Sequence, residues 1–337
     1  MTQNSSFTVL TGQHLQSMAD PKQAFALDVL VGLSEHPKRL SSRYFYDRRG
    51  SELFEKIMEL PEYYLTNCEF NILSTKSGEI SRLLAEKPFN LIELGSGDGR
   101  KTNVLIRHLL DQALQFKYFP IDISQAAMEG LISSLNQHFP QMHANGLVAE
   151  YFSGLKWLQN ISDRKNLVLL LGSNLGNFNR PQSRGFLRNL WSSLKDGDYV
   201  MIGFDLKKSI DLMQAAYNDH QGITSAFNLN LLRRINHELD GNFDLTKFQH
   251  YASYDVFSGA MESYLVSLVK QTVLIREIGL EFTFEAWEPV HTEYSYKYLE
   301  SDIEELAEQT GFEIVKQLYD NKRYFVDSIW QVKKIAT

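Results

Sequence analysis

The chain reads as α/β, an open parallel sheet wound by helices with a second, antiparallel block set into it. Two regularities and one break carry that reading. Apolar runs at residues 89–94, 116–121, 166–171 and 199–204 alternate with stretches of helical spacing, the rhythm of parallel strands joined by crossover helices. The first run meets three glycines at alternate positions, Gly95, Gly97 and Gly99, before helical spacing resumes over 102–110. From Asp205 the rhythm changes: residues 248–288 alternate like antiparallel strands, as in 261–269 and 280–284, which does not suit a doubly wound sheet.

Element by element, residues 1–20 are rich in Ser, Thr and Gln and are expected to be loosely held. Residues 21–33 place Ala24, Leu27, Leu30 and Val31 at helical spacing, and His36-Pro37 ends the pattern. Over 43–54 aromatic and charged residues crowd together, and Ser51 is placed to cap a helix running through Phe54 and Ile57. The aromatic turn 61–66 follows. Packing is the ordinary explanation for any one of these tyrosines, but Tyr44, Tyr46, Tyr63 and Tyr64 around two turns suggest a pocket wall. Residues 66–85 and 124–135 read as helices, the latter opened by Ser124. Residues 146–152 read as a third strand with Glu150 and Tyr151 at its end. The buried strand 166–171 runs into the loop 172–178, and a helix over 180–194 has Pro181 in its first turn. A helix over 210–226 carries Tyr217, and another spans 228–239. The chain closes with a helix over 298–310, ended by Gly311, and a strand over 324–332.

Composition narrows the function. With 337 residues, 43% hydrophobic and 22% charged, the chain has material for one large or two modest domains. A net charge of −7 and no run of Lys and Arg interleaved with aromatics disfavour a nucleic-acid partner. Cys68 is the one cysteine, which excludes an internal disulfide framework and a cysteine-built zinc site. No window approaches ~20 unbroken apolar residues and the first twenty residues hold no apolar core, so a cytoplasmic protein without a membrane partner is expected.

The glycine cluster has a chemistry of its own. Glycine lets the backbone approach a ligand, and the helix start offers unpaired N–H groups. A G-x-G-x-G turn preceded by Glu93 is not the G-x-G-x-x-G of dinucleotide enzymes. An acid at the strand end suits a cationic ligand better than a pyrophosphate. Asp122 closes the next strand 27 residues after Gly95, where a carboxylate can accept both ribose hydroxyls of an adenosine. The combination resembles motif I of the S-adenosylmethionine (SAM) methyltransferases. A non-catalytic SAM-binding regulator and an NAD-linked oxidoreductase are the competing classes, the second disfavoured by the glycine spacing.

Methyl transfer from a sulfonium is an in-line displacement, so the acceptor must be held close, aligned and unprotonated. The loop 172–178 lacks the Asn/Asp-Pro-Pro-Tyr/Phe turn frequent in enzymes acting on base amines or glutamine amides, which argues against those substrates. Asn177 there can serve a zwitterion's ammonium or carboxylate; equally, it can stand in a glycine turn for its tolerance of left-handed backbone. In the patch 288–298, alternation places Glu293 and Ser295 on one face and Thr292 and Tyr294 on the other. A carboxylate beside a hydroxyl can hold a heteroaromatic N–H, although on pattern alone Glu293 is an ordinary surface acid. Nothing near His291 completes a triad or a metal set, and no metal is expected.

The phrases Tyr46-Asp47-Arg48-Arg49-Gly50-Ser51-Glu52-Leu53-Phe54, Leu60-Pro61-Glu62-Tyr63-Tyr64-Leu65-Thr66, Glu93-Leu94-Gly95-Ser96-Gly97 and His291-Thr292-Glu293-Tyr294-Ser295 closely resemble the histidine Nα-methyltransferases of ergothioneine biosynthesis. Those enzymes use SAM three times to convert histidine into its trimethylammonium betaine, hercynine. The resemblance runs from about Pro37 to the end. It implies a Rossmann-like SAM-dependent methyltransferase fold, residues 70–205 plus 298–337, with a second substrate-binding α+β domain, residues 1–69 plus 206–297. It also implies that Glu93, Gly95, Gly97, Lys101, Asp122, Glu150 and Tyr151 serve SAM, the last two near the adenine where the family often has Asp-Phe. Tyr63, Asn177 and Tyr217 then fix the amino acid's carboxylate and amino group. Glu293, Ser295 and, through a water, Tyr46 hold the imidazole, with Tyr46 and Asn177 as the catalytic candidates. No dedicated strong base is implied, and a monomer is expected. At Glu262-Ser263-Tyr264-Leu265 the chain departs from the family: histidine-specific members usually have methionine where Ser263 stands. The smaller residue enlarges or wets the pocket, and relatives that methylate tryptophan or tyrosine exist.

Overall fold

The computed structural model describes residues 5–10 and 20–334. Most of the N-terminal stretch expected to be loosely held lies outside them. In chain order the elements begin with strand β1 (Ser6–Val9) and helices α1 (Pro21–Ser34), α2 (Arg48–Met58) and α3 (Tyr64–Leu84). An alternating run follows: β2 (Phe89–Leu94), α4 (Arg100–Asp111), β3 (Phe116–Asp122), α5 (Gln125–His138), β4 (Asn145–Val148) and α6 (Tyr151–Gln159). It continues with β5 (Lys165–Leu170), α7 (Arg180–Ser192) and β6 (Tyr199–Asp205). Then come α8 (Ile210–Ala215), α9 (Ile223–Glu238), β7 (Phe248–Asp255), β8 (Ala260–Ser267), β9 (Gln271–Ile275), β10 (Leu280–Phe284) and β11 (Glu288–Tyr296). Helix α10 (Glu300–Thr310) and strands β12 (Phe312–Tyr319) and β13 (Phe325–Val332) close the chain.

The chain divides into two compact units. The first holds β1, residues 65–207 and the chain from residue 297. Its eight-stranded sheet has the order β1-β4-β3-β2-β5-β6-β13-β12, parallel from β1 to β6 and antiparallel at β13 and β12. β2 lies between β3 and β5, where the strand order reverses, and every residue of β2 is buried. Such a switch point leaves a crevice beyond the carboxyl ends of the strands, where ligands of open α/β sheets bind. Ser124 caps α5 by accepting from the Ala127 N–H, and Asn179 with Gln182 makes a capping box around Pro181 at the start of α7. β1 pairs in parallel with β4, so the first strand belongs to this sheet and not to the substrate part, where residues 1–69 were expected.

The second unit holds the preceding segment up to residue 64 and residues 208–296. A three-stranded sheet β11-β8-β7, a hairpin β9-β10 and helices α1, α2 and α9 share a core rich in phenylalanine, including Phe25, Phe45, Phe227, Phe248 and Phe284. Three local expectations are corrected here. Asp47, not Ser51, caps the second helix: its carboxylate accepts from the Gly50 N–H at 2.7 Å, and the helix starts at Arg48. A Cβ on Gly50 would lie 1.7 Å from the Phe45 carbonyl oxygen, so this turn closes only over glycine. The helix expected over 210–226 is broken, because Asp219 accepts from the Ile223 and Thr224 N–H groups and starts α9 afresh after a left-handed Gly222. Tyr217 therefore sits in the turn between two helices. Strand β11 carries a bulge between His291 and Glu293. The extra residue, Thr292, turns toward Asn228 of α9, while the rings of His291 and Tyr294 lie 4.0 Å apart, so Thr292 and Tyr294 do not share a face.

Candidate active site

In the first unit, Gly95, Gly97 and Gly99 all take left-handed backbone, with φ of +76°, +50° and +70°. A Cβ on Gly95 would stand 2.7 Å from the Tyr151 hydroxyl, whereas one on Gly97 would meet no atom of the described residues within 4 Å. Gly97 thus opens onto space a ligand can fill, and its N–H donates to Asp122 Oδ2 at 3.1 Å. The Ser124 N–H donates to the other oxygen at 2.9 Å. Burial pushes the Asp122 carboxyl up, and these backbone donors pull it back down. Two main-chain donors thereby fix a carboxylate at the tip of β3, next to β2.

Lys101 lies in the first turn of α4, its ammonium paired with Glu69 of α3. Glu69 Oε1 accepts from the Gly172 N–H at 2.7 Å, and a Cβ on Gly172 would lie 3.3 Å from Lys101 Nζ. The ammonium therefore rests against the backbone that follows β5. Tyr151 begins α6, and Glu150 is exposed just before it; β4 ends at Val148, so the strand expected over 146–152 is shorter. Burial, then the Asp122 and Glu93 carboxyls, hold the Tyr151 hydroxyl above the usual phenol range.

Glu93 does not stand as the sequence suggested. It is buried, its Oε1 accepting from Thr102 Oγ1 at 2.5 Å and its Oε2 from the Tyr118 hydroxyl. Burial pushes its carboxyl up to about 7 against the pull of those two donors. The residue ties α4 and β3 to β2 instead of facing a cation. Asn177 ends a short 3₁₀ turn, Asn174–Asn177, with ordinary negative φ. The left-handed positions of this loop are Gly172 and Ser173, so tolerance of that backbone is not why asparagine stands at 177.

In the second unit, Tyr217 and Ser295 meet: their hydroxyl oxygens are 2.6 Å apart and buried. The Tyr217 turn is pinned to β7 by His250 Nε2 on the Tyr217 carbonyl (3.1 Å) and by the Asn218 amide donating to the Ala252 carbonyl (3.0 Å). Burial pulls the His250 imidazole below its usual range, which keeps it neutral. Glu293 is two residues from Ser295 on β11 and pairs across the ladder with Ser263 of β8. Ser263 is buried, and its carbonyl accepts from Thr292 Oγ1 at 3.0 Å. Tyr46 and Tyr63 flank Phe54, at ring distances of 5.5 and 6.1 Å, and Tyr46 also meets Phe227 of α9. Helix α9 links these groups, since Phe227 touches Tyr46 while Asn228 accepts from Thr292.

Two pieces of the first unit escaped the sequence reading. Asn174 comes within 3.5 Å of a Cβ position on Gly95. Glu69 interrupts the buried stripe Leu65, Ile72 and Leu73 of α3, and an acid inside an apolar stripe is the signal that could have found it. Among the described residues no group of three or more His, Cys, Asp and Glu is placed to hold a metal, and no helix is long and apolar enough to cross a membrane.

A mostly parallel sheet with an antiparallel closing hairpin, a glycine turn open at Gly97 and an anchored acid at the neighbouring strand tip define a Rossmann-like methyltransferase domain. The chain belongs to the histidine-specific, SAM-dependent methyltransferase family, whose model matches residues 25–332. It is 35% identical to a histidine N-alpha-methyltransferase of Mycolicibacterium smegmatis, over 85% of this chain and 88% of that protein. It is 32% identical to ergothioneine biosynthesis protein 1 of Neurospora crassa, over 83% of this chain and 32% of that one. A 4-dimethylallyltryptophan N-methyltransferase of Claviceps fusiformis is 28% identical over 57% of this chain and 56% of its own length.

Proposed function

We propose that this enzyme transfers methyl groups from SAM to the α-amino nitrogen of free L-histidine, three times, to give Nα,Nα,Nα-trimethylhistidine (hercynine). The observation that carries the reading is the buried Tyr217–Ser295 hydroxyl pair two residues along β11 from Glu293, in a member of the histidine-specific family. In this reading Gly95, Gly97, Lys101 and Asp122 hold SAM, with Glu150 and Tyr151 at its adenine. Asp122 fits that task because backbone donors already fix its carboxylate, and Gly97 fits because no described residue fills the space before it.

SAM supplies an electrophilic methyl group on a cationic sulfur. The chain's residues do the rest by placement. Tyr63, Asn177 and Tyr217 fix the substrate carboxylate and amino group, and Glu293 with Ser295 and Tyr46 holds the imidazole. The amine enters in its free-base form; each transfer releases S-adenosylhomocysteine, and the mono- and dimethylammonium products each lose their proton to water before the next transfer, so no strong base is required. Alignment supplies several kcal/mol of the barrier reduction. Tyrosine hydroxyls and rings beside the nitrogen tolerate the positive charge that builds as methyls accumulate.

A second reading, an aromatic amino acid other than histidine, is favoured by Ser263, a small residue directly across the ladder from Glu293. Incubation with SAM and a panel of free amino acids, followed by mass counting of methyls, tests both. Histidine gaining 42 Da, about three methyl increments, supports the first reading; no mass gain on histidine overturns it. We also infer a cytoplasmic monomer; light scattering of the purified enzyme checks the mass.

A further inference from the structure

We propose that Glu69 and Asp327 are a proton-sharing carboxyl pair that positions Lys101 at the glycine turn, with Asp327 as the neutral partner. The role at the turn rests on reading that turn as the SAM site; the shared proton does not.

Asp327 lies on β13, opposite Gly203 of β6, and is fully buried. A Cβ on Gly203 would come within 2.5 Å of Glu69 Oε1, so the glycine makes room for the Glu69 carboxylate at this point of the sheet. Glu69 is fully buried as well. Its two oxygens are taken by the Lys101 ammonium and the Gly172 N–H. Among the described residues neither buried oxygen of Asp327 meets an N–H or hydroxyl donor, and its place across the ladder from Gly203 sets it beside the Glu69 carboxyl. Two carboxyl groups can bond to each other only if one carries a proton. Burial, then the Glu69 charge, hold the Asp327 carboxyl well above its usual range, so the proton is on Asp327 and its O–H donates to Glu69.

The charge count gives the arrangement its purpose. One ammonium and one carboxylate leave the cluster neutral. Were Asp327 ionised as well, two carboxylates would stand behind Lys101, and the net negative charge would repel the carboxylate of a bound SAM. A neutral Asp327 lets Glu69 hold the ammonium against Gly172 while the remaining ammonium hydrogens stay available. Glu69 and Asp327 are positioning residues, since they act through Lys101.

The decisive variant is Asp327→Asn, which keeps the shape and an N–H donor toward Glu69 without an ionisable proton. SAM binding by calorimetry should stay within about threefold of the wild type, because a neutral donor replaces a neutral donor. Asp327→Leu leaves Glu69 without that donor, and SAM affinity should fall about tenfold. Infrared spectra at neutral pH should show, in the wild type, a carbonyl stretch of a buried protonated acid that is missing from Asp327→Asn, any Glu93 band being common to both. If either Asp327 variant fails to fold, Glu69→Gln must shift that band. Absence of the band, or a tenfold loss of SAM affinity in Asp327→Asn, overturns the proton-sharing pair. A wild type that shows the band but binds no SAM overturns the reading of the turn and leaves the pair standing.

Discussion

Replacing Glu93 with glutamine should flatten the dependence of stability on pH. The carboxyl is buried, and burial moves its pKa from an ordinary 4.5 up to about 7. In the unfolded chain it ionises near 4.5; in the folded one it keeps its proton until about 7. The folded state therefore binds more protons in that window, and the contribution is fully present below 4.5 and lost as pH rises through 7. At 1.36 kcal/mol per tenfold change, the whole loss is about 3 kcal/mol, of which about 2–3 falls between pH 5 and 8. Glutamine keeps an acceptor for Thr102 Oγ1 and turns an N–H toward the Tyr118 oxygen, but it has no charge to bury. Urea unfolding of both proteins at pH 5 and pH 8 isolates the difference, because every other titrating group contributes equally to each. The wild type should lose about 2–3 kcal/mol more than Glu93→Gln over that interval. Parallel losses in the two proteins would refute the assignment of this burial penalty to Glu93.

Three further outcomes follow from particular contacts. Gly50→Ala drives a methyl to 1.7 Å from the Phe45 carbonyl, so α2 must move off its cap; a loss of about 3 kcal/mol or more is expected in thermal unfolding, and a melt unchanged from wild type would contradict it. Lys297→Met removes the ammonium 2.7 Å from Asp205 in a pair with both side chains fully buried, which should cost about 3–5 kcal/mol measured by urea unfolding. Glu293→Ala should weaken histidine binding about tenfold or more while SAM affinity stays nearly intact, both read by calorimetry. Equal losses for the two ligands would show that Glu293 is misplaced in the substrate site.

The parallel half of the fold was legible because its signals are local. An apolar run, a glycine turn and a resumed helical period sit within about twenty consecutive residues, and β2, the turn and α4 appear where that pattern puts them. The end of the helix at 215 was hidden, since helical spacing continues past it and the deciding event is Asp219 capping a new helix over Gly222. Asp47 and Ser51 are both competent caps on paper. What chose between them was the tight approach of Gly50 to the Phe45 carbonyl, a contact that exists only once the turn has closed.

Among the candidate site residues, the sequence marked Gly95, Gly97 and Asp122 through spacing along strands and turns that fold locally. It could not place Glu93, because an acid at a strand end has the same pattern whether it meets a ligand or is received by Thr102 and Tyr118. Nor could it bring Tyr217 to Ser295, which are 78 positions apart, or Glu69 to Asp327 on the last strand. Periodicity reports which face of an element is buried, and the sequence carries that directly. Which buried polar groups satisfy one another depends on the register of strands and helices far apart in the chain, and the tertiary structure alone sets that register.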